Sequence, residues 1–173
     1  MAKNQSVNKT SDVIDFDLSA IRKKRFRIDG DDNRILELNT SDLNILSRLK
    51  ESYPKLENLA QQATEKLSTQ LDDDTDDDTE YENPFDDPKL ANVVDVLTAI
   101  DSDMRTIIDY IFDAPVSDLC APNGNMYDPV NGQFRYEHII VALTNLYESE
   151  LSTEMNKVSN RIKKHTDKYT KKR

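Results

Sequence analysis

The 173-residue chain has too few cysteines, glycines and long hydrophobic runs for several classes of protein. Its single cysteine, Cys120, excludes a framework of internal disulfides. Its 3 glycines and 6 prolines argue against glycine-rich phosphate loops, collagen repeats and turn-dense β-sandwiches. No stretch approaches the roughly 18 uncharged apolar residues of a membrane span, and the polar N-terminus has no apolar signal-peptide core. These absences predict a soluble, cytoplasmic protein with no membrane partner.

The acidity of the chain is concentrated in one segment. The formal net charge is −10, from 33 acidic and 23 basic residues. Residues 71–88 contain ten of the acids and no lysine or arginine, so the rest of the chain is neutral. Because like charges repel and the segment has little to bury, we predict that residues 71–88 form an acidic flexible linker. The bases cluster instead near residues 22–27 and from Lys157 onward.

The remaining sequence divides around this linker. Residues 1–14 show no hydrophobic periodicity and are predicted to be disordered. Residues 15–70 are predicted to form a β-hairpin plus helices, because residues 25–28 and 34–38 alternate polar and apolar positions around turn formers at 29–33. Residues 89–173 are predicted to be helical and to end in a long basic helix. We expect 15–70 and 89–155 to form one domain.

Hydrophobic spacing predicts three helical regions, at about 41–70, 89–113 and 134–170. In the first region Pro54 lacks an amide donor, so we expect it to interrupt the helix and start a new one. The second region has the clearest apolar stripe, at alternating steps of three and four residues. The predicted core includes Leu46, Leu97, Ile100, Ile107, Ile140 and Leu143. The fold class is therefore mainly α, with a small N-terminal β-hairpin and a long C-terminal helix.

The second half of the last helix carries a narrow apolar seam. The seam residues are Leu151, Met155, Val158 and Ile162, and His165 and Tyr169 continue the same register. Two apolar positions per heptad is the width of a helix pair rather than of a domain core. We therefore predict that the seam binds a helix, either of a client protein or of a second copy in a homo-oligomer. The alternative is that it folds back on the 41–70 helices of the same chain.

The turn of the hairpin matches the beginning of a calcium-binding loop but not the later positions of that loop. Asp29, Asp31 and Asn33 have the spacing of the first three calcium ligands of an EF-hand loop. The sixth and twelfth positions hold Arg34 and Thr40, where such a loop needs glycine and glutamate. This pattern favours an ordinary hairpin turn, and we predict no metal and no cofactor.

The histidines and the cysteine do not form a catalytic pattern. His138 directly follows Glu137, so on a helix their side chains point in different directions. His165 occupies a seam position, where a polar residue more often tunes register than performs chemistry. Cys120 has no histidine near it in sequence, and we expect Asp118 beside it to raise the pKa of its thiol. We predict that the protein is not an enzyme and has no catalytic residue.

The order of these features resembles small proteins of tailed phages and prophages of Gram-positive bacteria. The resemblance covers about residues 20–170 without the linker, and rests on KKRFRIDGDDNRILELNTSDLNILSRLKESYPKL, AIDSDMRTIIDYIFDAPVSDLC and MYDPVNGQFRYEHIIVALTNLYE. Such proteins look like tail assembly chaperones or related tail-morphogenesis factors. The resemblance implies a non-enzymatic assembly role in the bacterial host cytoplasm. It also implies a helical client such as the tape-measure protein, and it transfers no individual site residue.

Two other functions stay open from the sequence. The basic C-terminal helix would suit a nucleic-acid-associated regulator, although a lysine-rich last turn also complements the helix dipole without any ligand. The acidic segment could then act as an internal mimic that occupies the basic end until a partner displaces it. The same apolar and charged surfaces would also suit a structural component of the virion.

Overall fold

The computed structural model describes residues 23–72 and 88–170, with side chains over 23–69 and 88–163. The predicted disordered residues 1–14 and most of the predicted linker, 73–87, lie outside these ranges. The described elements are, in chain order, β1 (Lys24–Arg27), β2 (Ile35–Leu38), α1 (Asn44–Asp72), α2 (Pro88–Phe112), α3 (Val116–Cys120), β3 (Pro129–Val130), β4 (Gln133–Phe134) and α4 (Arg135–Thr170). The prediction of a mainly α fold with a small N-terminal hairpin and a long C-terminal helix is confirmed.

The strands β1 and β2 form the antiparallel hairpin that the alternating sequence predicts. The backbone N–H of Ile28 donates to the carbonyl of Arg34 at 2.9 Å and closes the turn. Gly30 has a φ of 76° within that turn, a conformation that glycine adopts without steric cost. On β2 the inward side chains Leu36 and Leu38 are buried. The hairpin therefore contributes one apolar face to the core.

The helix α1 is continuous, so the prediction that Pro54 interrupts this region is wrong. Proline removes the backbone hydrogen bond that the carbonyl of Lys50 would accept. Pro54 and Lys50 both lie on the exposed side of α1, where water can replace the missing donor. Ile45 and Leu56 are buried on either side of the proline. Packing of both turns against the core thus holds the helix together across the lost bond.

The core joins α1, α2, α4 and the first hairpin. Of the predicted core residues, the buried ones are Ile100, Ile140 and Leu143, and the half-buried ones that pack against them are Leu97 and Ile107. The prediction for Leu46 is wrong, because its side chain is 48% exposed. The core-facing stripe of α1 starts instead from Ile45. Because successive side chains on a helix are rotated by about 100°, Leu46 points away from the core when Ile45 points into it.

The connection between α2 and α4 contains a short helix, α3, and a second small hairpin, β3–β4, which were not predicted. Arg105 of α2 organises this connection. Its guanidinium donates to the carbonyls of Ala121 and Gly124 at 3.1 and 2.6 Å, and it pairs with Asp101 at 2.6 Å. The other oxygen of Asp101 accepts a hydrogen bond from the N–H of Met126 at 2.6 Å. Charged side chains thus supply the bonds that this irregular backbone cannot make to itself.

The helix α4 starts and ends close to the predicted residues. The carboxylate of Glu137 accepts a hydrogen bond from the N–H of Phe134 at 2.7 Å, which satisfies a donor at the N-terminus of the helix. Within its first half, Tyr136, Ile140, Leu143 and Tyr147 are buried. The hydroxyl of Tyr147 donates to the backbone carbonyl of Asp42, just before α1. The first half of α4 is therefore built into the core.

Candidate helix-pairing site

The four residues of the apolar seam lie along the second half of α4. Met155, Val158 and Ile162 are 57%, 50% and 60% exposed, and Leu151 is half-buried where it packs against the core. The described part of the chain therefore leaves most of the seam accessible. If the seam folded back on the 41–70 region, these three side chains would be buried, and in the described structure they are exposed. His165 lies in α4 beyond the side chains that the structure describes.

The seam is not a continuation of the buried stripe of α4. With about 100° of rotation per residue, the four seam residues lie within about 60° of one another. Their centre is rotated by about 60° from the centre of the stripe formed by Tyr136, Ile140, Leu143 and Tyr147. The same helix thus presents one apolar face to the core and, farther along, a second apolar face to solvent.

Acidic residues occupy the positions where the buried stripe would continue. Glu150 and Glu154 follow Tyr147 at steps of three and four, and both are half-buried. The ammonium of Lys24 on β1 forms salt bridges with both carboxylates, at 3.4 Å for Glu154. The hydrogen bond to Glu150 is the main reason that the pKa of Lys24 is raised. We name these three residues the Lys24 clamp, and they fasten the hairpin to the middle of α4.

The two flanks of the seam differ in charge. One flank carries Glu154 and Arg161, and the other carries Ser152 and Ser159. A hydrogen bond from Lys157, at 2.8 Å, is the main reason that the pKa of Glu154 is lowered, and Lys24 adds to the effect. Glu154 is therefore ionised at neutral pH. The seam is an apolar strip with a charged border on one side and a neutral border on the other.

A groove of about 580 Å³ lies between the first hairpin and the first half of α4. Its apolar walls come from Phe26, Ile28, Leu36, Ile139, Leu143 and Leu146, and its rim carries Arg27, Arg34, Arg135 and His138. Arg34 is already engaged, because its guanidinium donates to the carbonyls of Leu119 and Cys120 at 2.8 and 3.3 Å. His138 lies 2.8 Å from the carbonyl of Val130 through its Nε2 atom. Arg34 thus joins the first hairpin to α3, and His138 joins α4 to β3.

The residues considered for chemistry are not brought together by the fold. Cys120 is half-buried, and burial is the main cause of its raised thiol pKa. The expectation that Asp118 raises this pKa is wrong in its cause, since Asp118 instead pairs with Arg105 at 3.1 Å. Asp29 pairs with Arg34 at 3.1 Å, as in a stabilised turn. Among the described residues, no group of three histidine, cysteine, aspartate or glutamate side chains could hold a metal ion.

The sequence predictions missed the Lys24 clamp. The available signal was the spacing of Glu150 and Glu154, which extends the buried stripe after Tyr147. The basic run near residue 24 supplies the opposite charge. Because Lys24 and Glu150 are 126 residues apart in sequence, spacing alone could not predict that they form a salt bridge.

Comparison with known proteins adds no family or relative. No protein-family model, curated protein or solved structure matches the chain. Within residues 23–72 and 88–170, no helix has the length and apolar character needed to cross a membrane.

Proposed function

We propose that the protein is a non-enzymatic assembly factor that binds a helical partner protein through the apolar seam. The observation that carries this proposal is the exposure of Met155, Val158 and Ile162 on one face of a long helix. Apolar strips at heptad spacing are the surfaces that pair helices in water. The sequence resemblance supports a more specific form of the proposal, a phage tail assembly chaperone whose client is a long helical protein such as the tape-measure protein.

The charge of this region favours a protein partner over a polyanion. Between residues 148 and 163 there are three acidic and three basic side chains, so the region around the seam is neutral. The uncompensated lysines and the last arginine lie closer to the C-terminus. Nucleic-acid retention by those residues would weaken steeply with salt, whereas apolar helix pairing would be nearly insensitive to salt. Salt dependence therefore separates the two functions.

The test is co-expression with the longest coiled-coil protein encoded at the same locus, followed by affinity capture at low and high salt. We expect capture by the wild type to persist at high salt. The variant Met155→Asp/Val158→Asp places two carboxylates in the seam and should lose capture. The matched control Asn156→Asp/Asn160→Asp adds the same charge on an exposed face away from the seam, and it should capture the client normally.

Four results would count against the proposal. Equal capture by the wild type and the seam variant would remove the seam from the interaction. Loss of capture in both double variants would point to charge rather than to apolar contact. Retention of nucleic acid that is abolished at high salt, without client capture, would favour the nucleic-acid-associated regulator. Presence of the protein in finished particles would favour a structural component of the virion over a chaperone.

A further inference from the structure

We propose that, without a client, the apolar seam pairs with the seam of a second copy, and that the two helices run antiparallel. This inference rests on the proposed function in treating the seam as a helix-pairing surface, and it names the occupant of that surface in the free protein. The argument comes from the unequal charge of the two flanks and from the distribution of charge along α4. An exposed apolar strip alone would not choose between a second copy and another partner.

The charges on the two flanks of the seam favour an antiparallel over a parallel orientation of the two α4 helices. In a parallel pair, each flank of one helix faces the opposite flank of its partner, so Glu154 would face Ser159 and gain no ion pair. In an antiparallel pair, like flanks meet, and the charged border of one copy faces the charged border of the other. Glu154 of each copy then lies across from Arg161 of the other, which gives two symmetric ion pairs. The serine flanks meet on the opposite side without any charge conflict.

The apolar residues are self-complementary in the same arrangement. When the axis of symmetry lies between residues 156 and 157, Met155 of one copy packs against Val158 of the other. Leu151 likewise packs against Ile162. The seam thus forms four apolar layers over about 18 Å of helix. These are the residues that the structure leaves accessible or at the margin of the core.

Charge along the helix favours the same direction. From residue 163 to the end of the chain there are five lysines, one arginine and one acidic residue, Asp167. A parallel pair would place two such basic ends side by side, with repulsion between them. In the antiparallel pair the two basic ends lie at opposite ends of the seam, so they do not repel each other.

Disulfide trapping of the full chain tests both the pairing and its direction. Two proteins are prepared in a Cys120→Ser background, one with Leu151→Cys and one with Ile162→Cys. In the antiparallel pair, positions 151 and 162 share a layer, whereas two copies of position 151 lie about 16 Å apart along the axis. We therefore expect a cross-linked dimer in an oxidised mixture of the two proteins and little in either alone. Cross-linking of each protein with itself would overturn the antiparallel arrangement.

A charge swap without new cysteines provides the second test. Arg161→Glu turns both proposed ion pairs into repulsive contacts, so the dimer should dissociate at a concentration about tenfold higher or more. The double variant Glu154→Arg/Arg161→Glu restores opposite charges across the pair and leaves Glu150 as the partner of Lys24 in the clamp. It should therefore recover most of the dimer in sedimentation equilibrium. The matched control Lys163→Glu changes a charge outside the proposed pairs and should have a smaller effect. Equal dissociation of the Arg161 and Lys163 variants would contradict the inference.

The same variants separate this inference from the proposed function. Arg161→Glu leaves all four seam residues in place, so it should capture the client as well as the wild type or better, because less of the seam is covered. A wild-type protein that stays monomeric in sedimentation while still capturing the client would overturn the second-copy inference alone. A wild-type protein that dimerises but captures no client would leave the inference standing and remove the proposed client function.

Discussion

The two halves of α4 share one helix but differ in what they contact. In the first half, Ile140, Leu143 and Tyr147 are buried against the rest of the chain. In the second half, Met155 and Val158 carry similar apolar surface and are half exposed or more. The difference shows that apolar spacing by itself does not determine burial. A stripe is buried within the chain only where the rest of the chain can reach it.

The change between the halves occurs at the Lys24 clamp. Glu150 and Glu154 take the positions at which the buried stripe would continue, and Lys24 satisfies their charges. A carboxylate at such a position keeps the hairpin in contact with α4 without extending the apolar core. The apolar residues that follow are displaced around the helix by about 60°, and Glu154 forms one border of the seam.

The largest expected effect comes from truncating the same residue type in each half. Ile140→Ala removes a buried side chain and should lower the free energy of unfolding by about 2–5 kcal/mol, and Ile100→Ala on α2 should cost a similar amount. Ile162→Ala removes an exposed one and should cost less than about 0.5 kcal/mol in dilute solution. Urea unfolding followed by circular dichroism measures all three. Similar losses for Ile140 and Ile162 would show that the second half is also packed within the chain.

A smaller effect is expected at the boundary between the halves. Tyr147→Phe keeps the buried ring but removes the hydroxyl that donates to the carbonyl of Asp42. The loss of one buried hydrogen bond should cost about 1 kcal/mol of unfolding free energy. Thermal unfolding compared with Tyr110→Phe, where the ring is exposed, provides the control. Equal melting temperatures for the two variants would mean that the bond to Asp42 contributes little.

Removal of the Lys24 clamp should affect local order more than global stability, because its charges are partly exposed. Lys24→Met should speed amide hydrogen exchange in residues 151–158 while leaving exchange in the first half of α4 nearly unchanged. Lys55→Met, which breaks a salt bridge to Glu51 within α1, is the matched control. Unchanged exchange in both variants would show that α4 holds its middle turns without the clamp.

The pH dependence of the clamp follows from the pKa of Glu154. Hydrogen bonds from Lys157 and Lys24 lower this pKa below its ordinary value. A carboxylate with a lowered pKa contributes stability above the pKa that it has in the unfolded chain, and the contribution is lost as pH falls through the folded value. Amide hydrogen exchange in residues 151–158, measured across a pH series, should therefore differ between wild type and Lys24→Met at neutral pH. The difference should disappear in acid.

The smallest expected effect is that of replacing the acidic segment. A Gly/Ser linker of equal length in place of residues 72–87 should leave the melting temperature unchanged or slightly higher, because the removed charges repel one another. Differential scanning calorimetry at low ionic strength is the sensitive measurement. A marked drop would mean that these acids stabilise the native state by pairing with the basic clusters. The basic end of α4 would then have a contact within the chain.

Sequence patterns predicted the parts of the fold in which spacing is regular over many residues. The extents of α2 and α4 and the existence of the first hairpin follow from local periodicity, which needs no knowledge of the partner surface. The continuity of α1 through Pro54 did not follow, because it depends on packing of Ile45 and Leu56 on both sides of the lost hydrogen bond. Leu46 was misplaced because several apolar residues crowd the start of α1 and only the tertiary structure selects among them.

For the candidate site, the heptad spacing leads to the prediction that Leu151, Met155, Val158 and Ile162 pair with another helix, and this stays a prediction. Their exposure was a separate question that required the fold. Likewise, α3 and the β3–β4 hairpin depend on Arg105, which bonds to backbone groups up to 19 residues away. Such contacts between a single side chain and a distant irregular backbone leave no periodic signal in the sequence.

Under the proposed function, the length of the seam would determine how many copies of the protein bind each molecule of a long helical client. Residues 151–162 face about 18 Å of a partner helix, which corresponds to about 12 residues of that helix. A client several hundred residues long would offer tens of such footprints, and copies would bind it in numbers proportional to its length. The amount of protein required would then scale with the length of the client rather than with the number of client molecules.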